Sequence, residues 1–320
     1  MSSRLLSCLV AASALSTACA AGGDFAACTV GSDCASGICN SDGTCADAET
    51  SAASSGSGAG GPASSSTDGT TTTSATTGSG GGAGGSNVCS PNDDGVVTRA
   101  EVPLAPGLHA TFRATENATV DTAGAMNGDG SRTWDFTAML SGDHDELVET
   151  QDPSGAWYAA QFAGATYTAR LSDAASLLGV FKVTDTQLLL MGVVSPTETP
   201  PVTELAYDPP VVVLAFPISA SSTWQTSSGV TGLADGVAAA YNETYQSSVD
   251  AHGQVVTPFG PFSVLRVRTN LTRTVGATVT VSHQFSFVAE CFGTVATVNS
   301  QPDELMAEFT SASEIERLSP

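Results

Sequence analysis

VVTPFGPFSVLRVRTNLTRTVGATVTVSHQFSFVAECFGTVATVNS, residues 255–300, decides the fold class. Within 277–288, Val279, Val281, His283, Phe285 and Phe287 alternate with Thr280, Ser282, Gln284 and Ser286. Successive side chains of an extended strand point to opposite faces, so this run has one apolar face and one wet face. In the run before it, Leu265, Val267 and Leu271 oppose Arg266, Arg268 and Asn270. Thr274-Val275-Gly276 predicts the turn between the two runs, because glycine accepts positive φ. A sheet with one apolar face is ordinarily antiparallel and needs a second layer over that face.

The same texture extends upstream. Strands are predicted over 108–115, 132–140, 145–150, 157–163, 166–171, 179–184, 187–194, 211–216, 239–249, 262–271, 277–288 and 294–298. Gly, Asp and Pro separate them, and short helices are expected only at 173–178 and 301–309. Short strands at this spacing predict an all-β domain, mainly antiparallel: a sandwich, a roll or a strongly curved sheet.

The N-terminal quarter is built differently. Arg4 and the apolar run 5–14 form a leader too short to span a bilayer as a stable helix, so 1–19 is expected to be a signal peptide. Leu15-Ser16-Thr17-Ala18-Cys19 resembles a bacterial lipobox, with small residues directly before a cysteine. The leucine stands four residues before Cys19 where the lipobox has three. The resemblance implies a lipidated Cys19 bearing acyl chains such as palmitate, and anchorage by about 0.8 kcal/mol per buried methylene. Ala18-Cys19-Ala20 also fits cleavage by an ordinary signal peptidase, which would release a secreted protein. Either way the expected location is extracytoplasmic: the outer membrane or cell surface of a bacterial envelope if Cys19 is lipidated.

Residues 20–46 carry Cys28, Cys34, Cys39 and Cys45 among Gly, Ser, Asp and Asn. In an exported chain these read as two disulfides, with three pairings open. A four-cysteine zinc site would want C-x2-C pairs and a reducing compartment. The C-x5-C-x4-C-x5-C spacing around Asp33-Cys34-Ala35-Ser36-Gly37-Ile38-Cys39 is similar to short Cys-rich modules of myxobacterial exported proteins, which implies a spacer or interaction module. Residues 47–87 are mostly Ser, Thr, Gly and Ala and lack the apolar content to offset chain entropy, so they are expected to form a disordered linker. Such a coil of about 40 residues spans roughly 35 Å. Its glycine run 56–61 matches G-x-G-x-x-G by composition alone, with no strand before it and no helix after. The folded domain is expected over 88–320, roughly 230 residues, enough for one substantial core.

That domain opens on SPNDDGVVTRAE, residues 90–101. Set against an EF-hand calcium loop, Asn92 takes the third position, Asp94 the fifth and Gly95 the sixth, where the chain must turn. Val96 would offer its carbonyl at the seventh, and Glu101 would be the bidentate twelfth ligand. The stretch resembles the single calcium loops of exported bacterial proteins. Ser90 stands where that pattern has an aspartate, and Pro103 interrupts an exiting helix, so a weak calcium site is implied. The alternative is an Asn-Asp-Asp-Gly turn with a helical cap. Cys89 lies beside this loop, and Cys291 is the other cysteine left unassigned. A Cys89–Cys291 disulfide would close a loop of about 200 residues, worth roughly 5 kcal/mol in the chain-entropy model.

The net charge is −22, with Lys182 the single lysine. Phosphate would be repelled over most of such a surface, which excludes nucleic acid as a partner. His-Glu-x-x-His, Gly-x-Ser-x-Gly and Ser-x-x-Lys before a helix are absent from the sequence. His144 sits in Gly-Asp-His-Asp-Glu, a setting that suits a solvated turn or a metal. His283 lies on an apolar strand face, and His109 and His252 have no acid nearby in sequence. No enzyme is expected. Gly253, Thr257-Pro258-Phe259-Gly260-Pro261-Phe262, Leu265-Arg266-Val267, Gln284 to Phe287 and Gly293-Thr294-Val295 resemble a turn-then-strand habit of exported bacterial lipoproteins to which no activity is assigned. So do Tyr207-Asp208-Pro209-Pro210, Phe216-Pro217 and Trp224. A remoter likeness is to the LolA-like lipoprotein-carrier fold, a curved sheet wrapped over short helices that holds acyl chains. These resemblances imply a membrane-tethered lipoprotein with a structural or interaction role, whose partner is a protein, or a carrier of an apolar ligand.

Overall fold

Residues 89–320, apart from 174 and 175, are described by the computed structural model. Cys19, the cysteines at 28, 34, 39 and 45, the leader and the linker lie outside the described residues. The central hairpin joins β13 (Pro261–Val275) to β14 (Thr278–Ala289). Its turn is Gly276-Ala277, with Val275 paired to Thr278 and Gly276 at φ 58°. The turn thus falls later than the sequence predicts: Thr274 and Val275 can stay extended, and glycine takes the left-handed position.

Going backward from the hairpin, the strands are β12 (Val237–Val256), β11 (Thr223–Ala234), β10 (Ile218–Ser219), β9 (Glu204–Ala215), β8 (Gln187–Val194), β7 (Leu178–Val183) and β6 (Tyr167–Arg170). Before these come β5 (His144–Glu149), β4 (Arg132–Asp135), β3 (Ala125–Met126), β2 (His109–Thr119) and β1 (Val96–Val97); β15 (Gly293–Ser300) and β16 (Ser311–Ser319) follow the hairpin. One large sheet runs in the order β5-β2-β16-β15-β14-β13-β12-β11-β9-β8-β7-β6. Every neighbour on that path is antiparallel; β4 joins β12 in parallel through Gly253↔Arg132 to Val256↔Asp135. The two edges of the sheet meet. Gln151, just past β5, bridges Thr168 of β6 through two N–H···O bonds of 2.8 and 2.9 Å. The fold is therefore a nearly closed antiparallel β-barrel.

Both faces of the sheet are covered. On one side Phe285, Phe287, Val298 and Ile315 pack with Trp134, Phe136 and Phe309. Phe287 meets Trp134 and Phe136 edge-on at 5.0 and 5.3 Å. These residues come from strands adjacent in the sheet and from segments laid over it. On the other side Val249, Leu265, Val267 and Val288 meet Tyr167, Leu188 and Leu214, from strands far away in the order. Such contacts require a concave face, which is the barrel interior. Val97, Val102, Phe216 and Ile218 join the same cluster. The two-stranded β1–β10 ribbon and the 3-10 turn Arg99–Glu101 thus plug the barrel interior.

The predicted strand at 157–163 is instead a run of turns, with Ala159 N–H bonding Ala156 O and Gln161 N–H bonding Tyr158 O. Its aromatics Tyr158 and Phe162, four residues apart, would share one face of a strand, but the i→i+3 hydrogen bonds coil the segment and both rings pack against Val180 and Val194. The predicted helix at 301–309 is an irregular loop. Pro302 follows Gln301, Asp303 takes φ 59°, and its N–H bonds Val281 O. The helix expected at 173–178 overlaps β7, which already begins at Leu178. Residues 204–210 extend β9 through Asp208-Pro209-Pro210, and β11 and β16 are strands that the sequence did not announce.

Candidate functional site

The loop 90–101 folds around its own short side chains. Asn92 Oδ1 accepts the Asp94 N–H at 2.9 Å, and Asp94 Oδ1 accepts the Val96 N–H at 2.8 Å. Asp93 and Gly95 take φ 54° and 78°, which turns the chain sharply where an EF-hand loop turns. Glu101 Oε2 accepts from Thr98 N–H at 2.7 Å and Thr98 Oγ1 at 2.8 Å, a capping box on the 3-10 turn. Glu101 Oε1 accepts from Asn92 Nδ2 at 3.1 Å. The fold therefore brings Asn92, Asp94 and Glu101 into one loop, with Ser90 exposed at its start and Val96 opening β1.

Sequence reasoning missed Glu290. It is 9% exposed, and its Oε2 accepts the N–H groups of Asn92 at 2.6 Å and Asp93 at 3.1 Å. A carboxylate thus enters the loop from the far end of the domain, next to the end where Ser90 stands in place of an acid. The signal was Cys291, its chain neighbour. Cys89 and Cys291 form a disulfide with Cα atoms 5.5 Å apart, across a separation of 202 residues. Cys291 itself sits at φ 66°, and its N–H bonds Glu101 O at 2.7 Å. One covalent link and several hydrogen bonds thereby fasten the loop to the β14–β15 turn. Among the described residues, no group of three or more His, Cys, Asp or Glu side chains converges as a metal cage. Any cation here would rely on neutral oxygens and backbone carbonyls beside Asp94 and Glu101.

An aromatic cleft of about 390 Å³ adjoins the loop. Pro91, Asp93 and Glu290 line it together with Phe259, Phe262 and Phe292. Phe292 meets Phe262 edge-on at 4.9 Å and Phe259 at 6.3 Å. Phe259 and Phe292 remain 52% and 45% exposed, which sets them apart from the buried phenylalanines of the core. Pro258 and Pro261 place Phe259 at a tight turn, where Gly260 N–H bonds Thr257 O and keeps the ring at the surface.

Two of the four histidines, His144 and His283, have structural partners. His283 Nδ1 lies 2.7 Å from Asn270 Oδ1, and its Nε2 lies 3.1 Å from Glu304 O. His144 pairs with Asp173 at 2.7 Å. Glu243, fully buried, pairs with Arg273 at 2.6 Å and accepts from Tyr245 Oη at 2.5 Å. Burial, then Glu243, pushes the neighbouring Tyr241 hydroxyl up to about 12, so it stays protonated.

These features define a disulfide-fastened, plugged antiparallel β-barrel domain with an EF-hand-like loop at its plug. No family model matches the chain, and no curated protein matches it. A solved structure, that of a Parabacteroides distasonis protein proposed to be a lipoprotein, aligns with 8% identity and a TM-score of 0.31, covering 67% of this chain and 95% of that one.

Proposed function

We propose that this chain is an exported lipoprotein, tethered to an envelope membrane through a lipidated Cys19, whose barrel has a structural or interaction role and catalyses no reaction. The observation that carries the reading is the Cys89–Cys291 disulfide, which fastens the first described residue to the sheet. Disulfides of this kind persist in oxidising, extracytoplasmic compartments, the destination that the leader at 1–19 implies. Calcium is the proposed ligand of the loop at Ser90, Asn92, Asp94, Val96 and Glu101. Few of these donors are charged, so the affinity is low.

The aromatic cleft favours a second reading, a carrier that takes an apolar ligand such as an acyl chain. Its volume is that of a small ligand site. It lies at the surface beside the loop, outside the sheet's concavity where the LolA-like likeness would put it.

The test is metabolic labelling of the full chain with alkyne-tagged palmitate in a bacterial host, followed by membrane fractionation. Wild type is expected to carry label and sediment with membranes, and Cys19→Ser to lose both. Unlabelled wild type in the soluble fraction would overturn the anchor. Native mass spectrometry of the soluble Cys19→Ser chain then reads ligands: one calcium lost to a chelator supports the loop, and a lipid-sized adduct supports the carrier. A mass without calcium at millimolar calcium would sink the calcium reading.

A further inference from the structure

The barrel's seam is its least paired line. β2 and β16 share a ladder from Ser311↔Thr119 to Ser319↔Thr111, whereas β5 and β6 meet through the Gln151↔Thr168 bridge alone. Ion pairs reinforce it: Arg170 Nη1 on β6 lies 2.5 Å from Glu146 Oε1 on β5, and a histidine–aspartate pair stands beside it.

Ionisable groups crowd this line. Asp173, just past β6, donates its backbone N–H to Glu314 Oε1 of β16 at 2.7 Å. His144 Nε2 at the start of β5 is 2.7 Å from Asp173 Oδ2, and Arg170 Nη1 is 3.9 Å from Asp173 Oδ1. Glu314 also accepts from Asn299 Nδ2 of β15 at 3.3 Å. Glu146 is 6% exposed, and its Oε2 is buried with no hydrogen-bond partner. The strand between, β2, sets Phe112 beside Glu146, Ala114 between His144 and Glu316, and the exposed Glu116 beside Glu314. Its Arg113 is paired with Asp145. β7 sets Leu178 beside Arg170, and β15 sets Thr297 beside Glu316. The carboxylates of Glu146, Asp173, Glu314 and Glu316 therefore face Arg170 and His144 as their cations.

We propose that the β5–β6 seam is a proton-controlled latch, which holds the barrel shut while its four carboxylates, facing two cations, retain one proton among them and parts as that proton is lost. Burial first, then Glu314, Glu146 and Asp173, pushes the half-buried Glu316 carboxyl up to about 8 from 4.5. Burial likewise raises Glu146 against the pull of Arg170, and the Gly142 carbonyl, then Asp173, raises His144. All these groups titrate higher in the closed barrel than in a free chain. Each therefore contributes stability that is fully present below its ordinary value and lost as pH rises through its closed-state value. For Glu316 the loss begins above 4.5 and is complete past about 8. Each deprotonation adds negative charge, or removes positive charge, beside a line held by two backbone hydrogen bonds and two ion pairs.

Hydrogen exchange of the full chain between pH 6 and pH 9.5, corrected for intrinsic rates, reads the latch. Protection at the Gln151 and Thr168 amides is expected to fall about tenfold per pH unit from pH 6 up to the Glu316 value of about 8 and to level off above it, while Val267 in the central strand holds. Glu316→Gln, which cannot ionise, is expected to flatten that dependence. A Gln151→Cys, Thr168→Cys pair, oxidised across the seam, is expected to abolish it and serves if E316Q does not fold. Seam amides that track Val267 at every pH overturn the latch, as does a seam whose pH dependence survives in the variants.

Discussion

Arg266 shows how single residues secure this barrel. It is 2% exposed, forks onto Asp250 at 2.8 and 2.9 Å, and reaches Glu308 at 2.6 Å and the Thr122 carbonyl at 2.5 Å. Its guanidinium also lies over the rings of Phe285, at 4.2 Å, and Trp134, at 5.4 Å. The planar fork suits several oxygens and two aromatic faces together, which an ammonium could not match. It links β13 to the loop ahead of β3 and to the loop before β16. Arg266→Ala would strand Asp250 and Glu308 beside a buried void. The expected cost is about 3–5 kcal/mol, read as a lower urea midpoint by tryptophan fluorescence. A midpoint within error of wild type would mean that this network adds nothing net. Arg317, 1% exposed, plays the same part with Asp143 and the carbonyl oxygens of Phe136 and Ala138. In sequence Arg266 occupies a polar slot of an alternating strand, and Arg317 falls in a stretch where no strand is predicted. That they are buried follows only from the segments laid over that face.

Among the elements, the loop, 3-10 turn and β1–β10 ribbon act as one plug. Val97 and Val102, each 3% exposed, carry the plug's contact with the interior core. Their own strand pairing spans only Val96↔Ser219 and Val97↔Ile218, so the plug depends on its attachment at the other end. Cys89–Cys291, Glu290 and the Cys291 N–H supply that attachment. Replacing Cys89 and Cys291 by serine is expected to lower stability by up to about 5 kcal/mol. Hydrogen exchange should show Val97 and Val102 losing protection before the β13–β14 hairpin does. If all three decline together, the plug is an integral part of the cooperative unit and not a fastened appendage. β16 makes a different point about elements. SASEIERLS carries Glu314, Glu316 and Arg317 and reads as solvated, yet it is a central strand, because Asp143 and the seam cluster partner those charges.

At the scale of the whole molecule, a net charge of −22 repels itself across a closed sheet. Salt screens exposed charges over a Debye length of about 8 Å near physiological ionic strength. Thermal stability is therefore expected to rise as sodium chloride goes from about 10 mM to about 500 mM, followed by calorimetry at pH 7. A fall would mean that the favourable pairs at Arg170, Arg266, Arg273 and Arg317 outweigh the general repulsion.

The sequence by itself determined the all-β class, the central hairpin and most strand cores, because period-two alternation is a local consequence of strand geometry. It also determined the turning of the loop at Asn92, Asp94 and Gly95, since those short side chains bond their own backbone. It marked Cys89 and Cys291 as partners by leaving them over. Closure of the sheet, the plug in its interior, Glu290 in the loop and the carboxylates at the seam were decided only by tertiary structure. Each joins residues far apart in the chain, through contacts that set which charges are buried and with whom. No local pattern carries that information: strand order and curvature are fixed by how the whole chain packs.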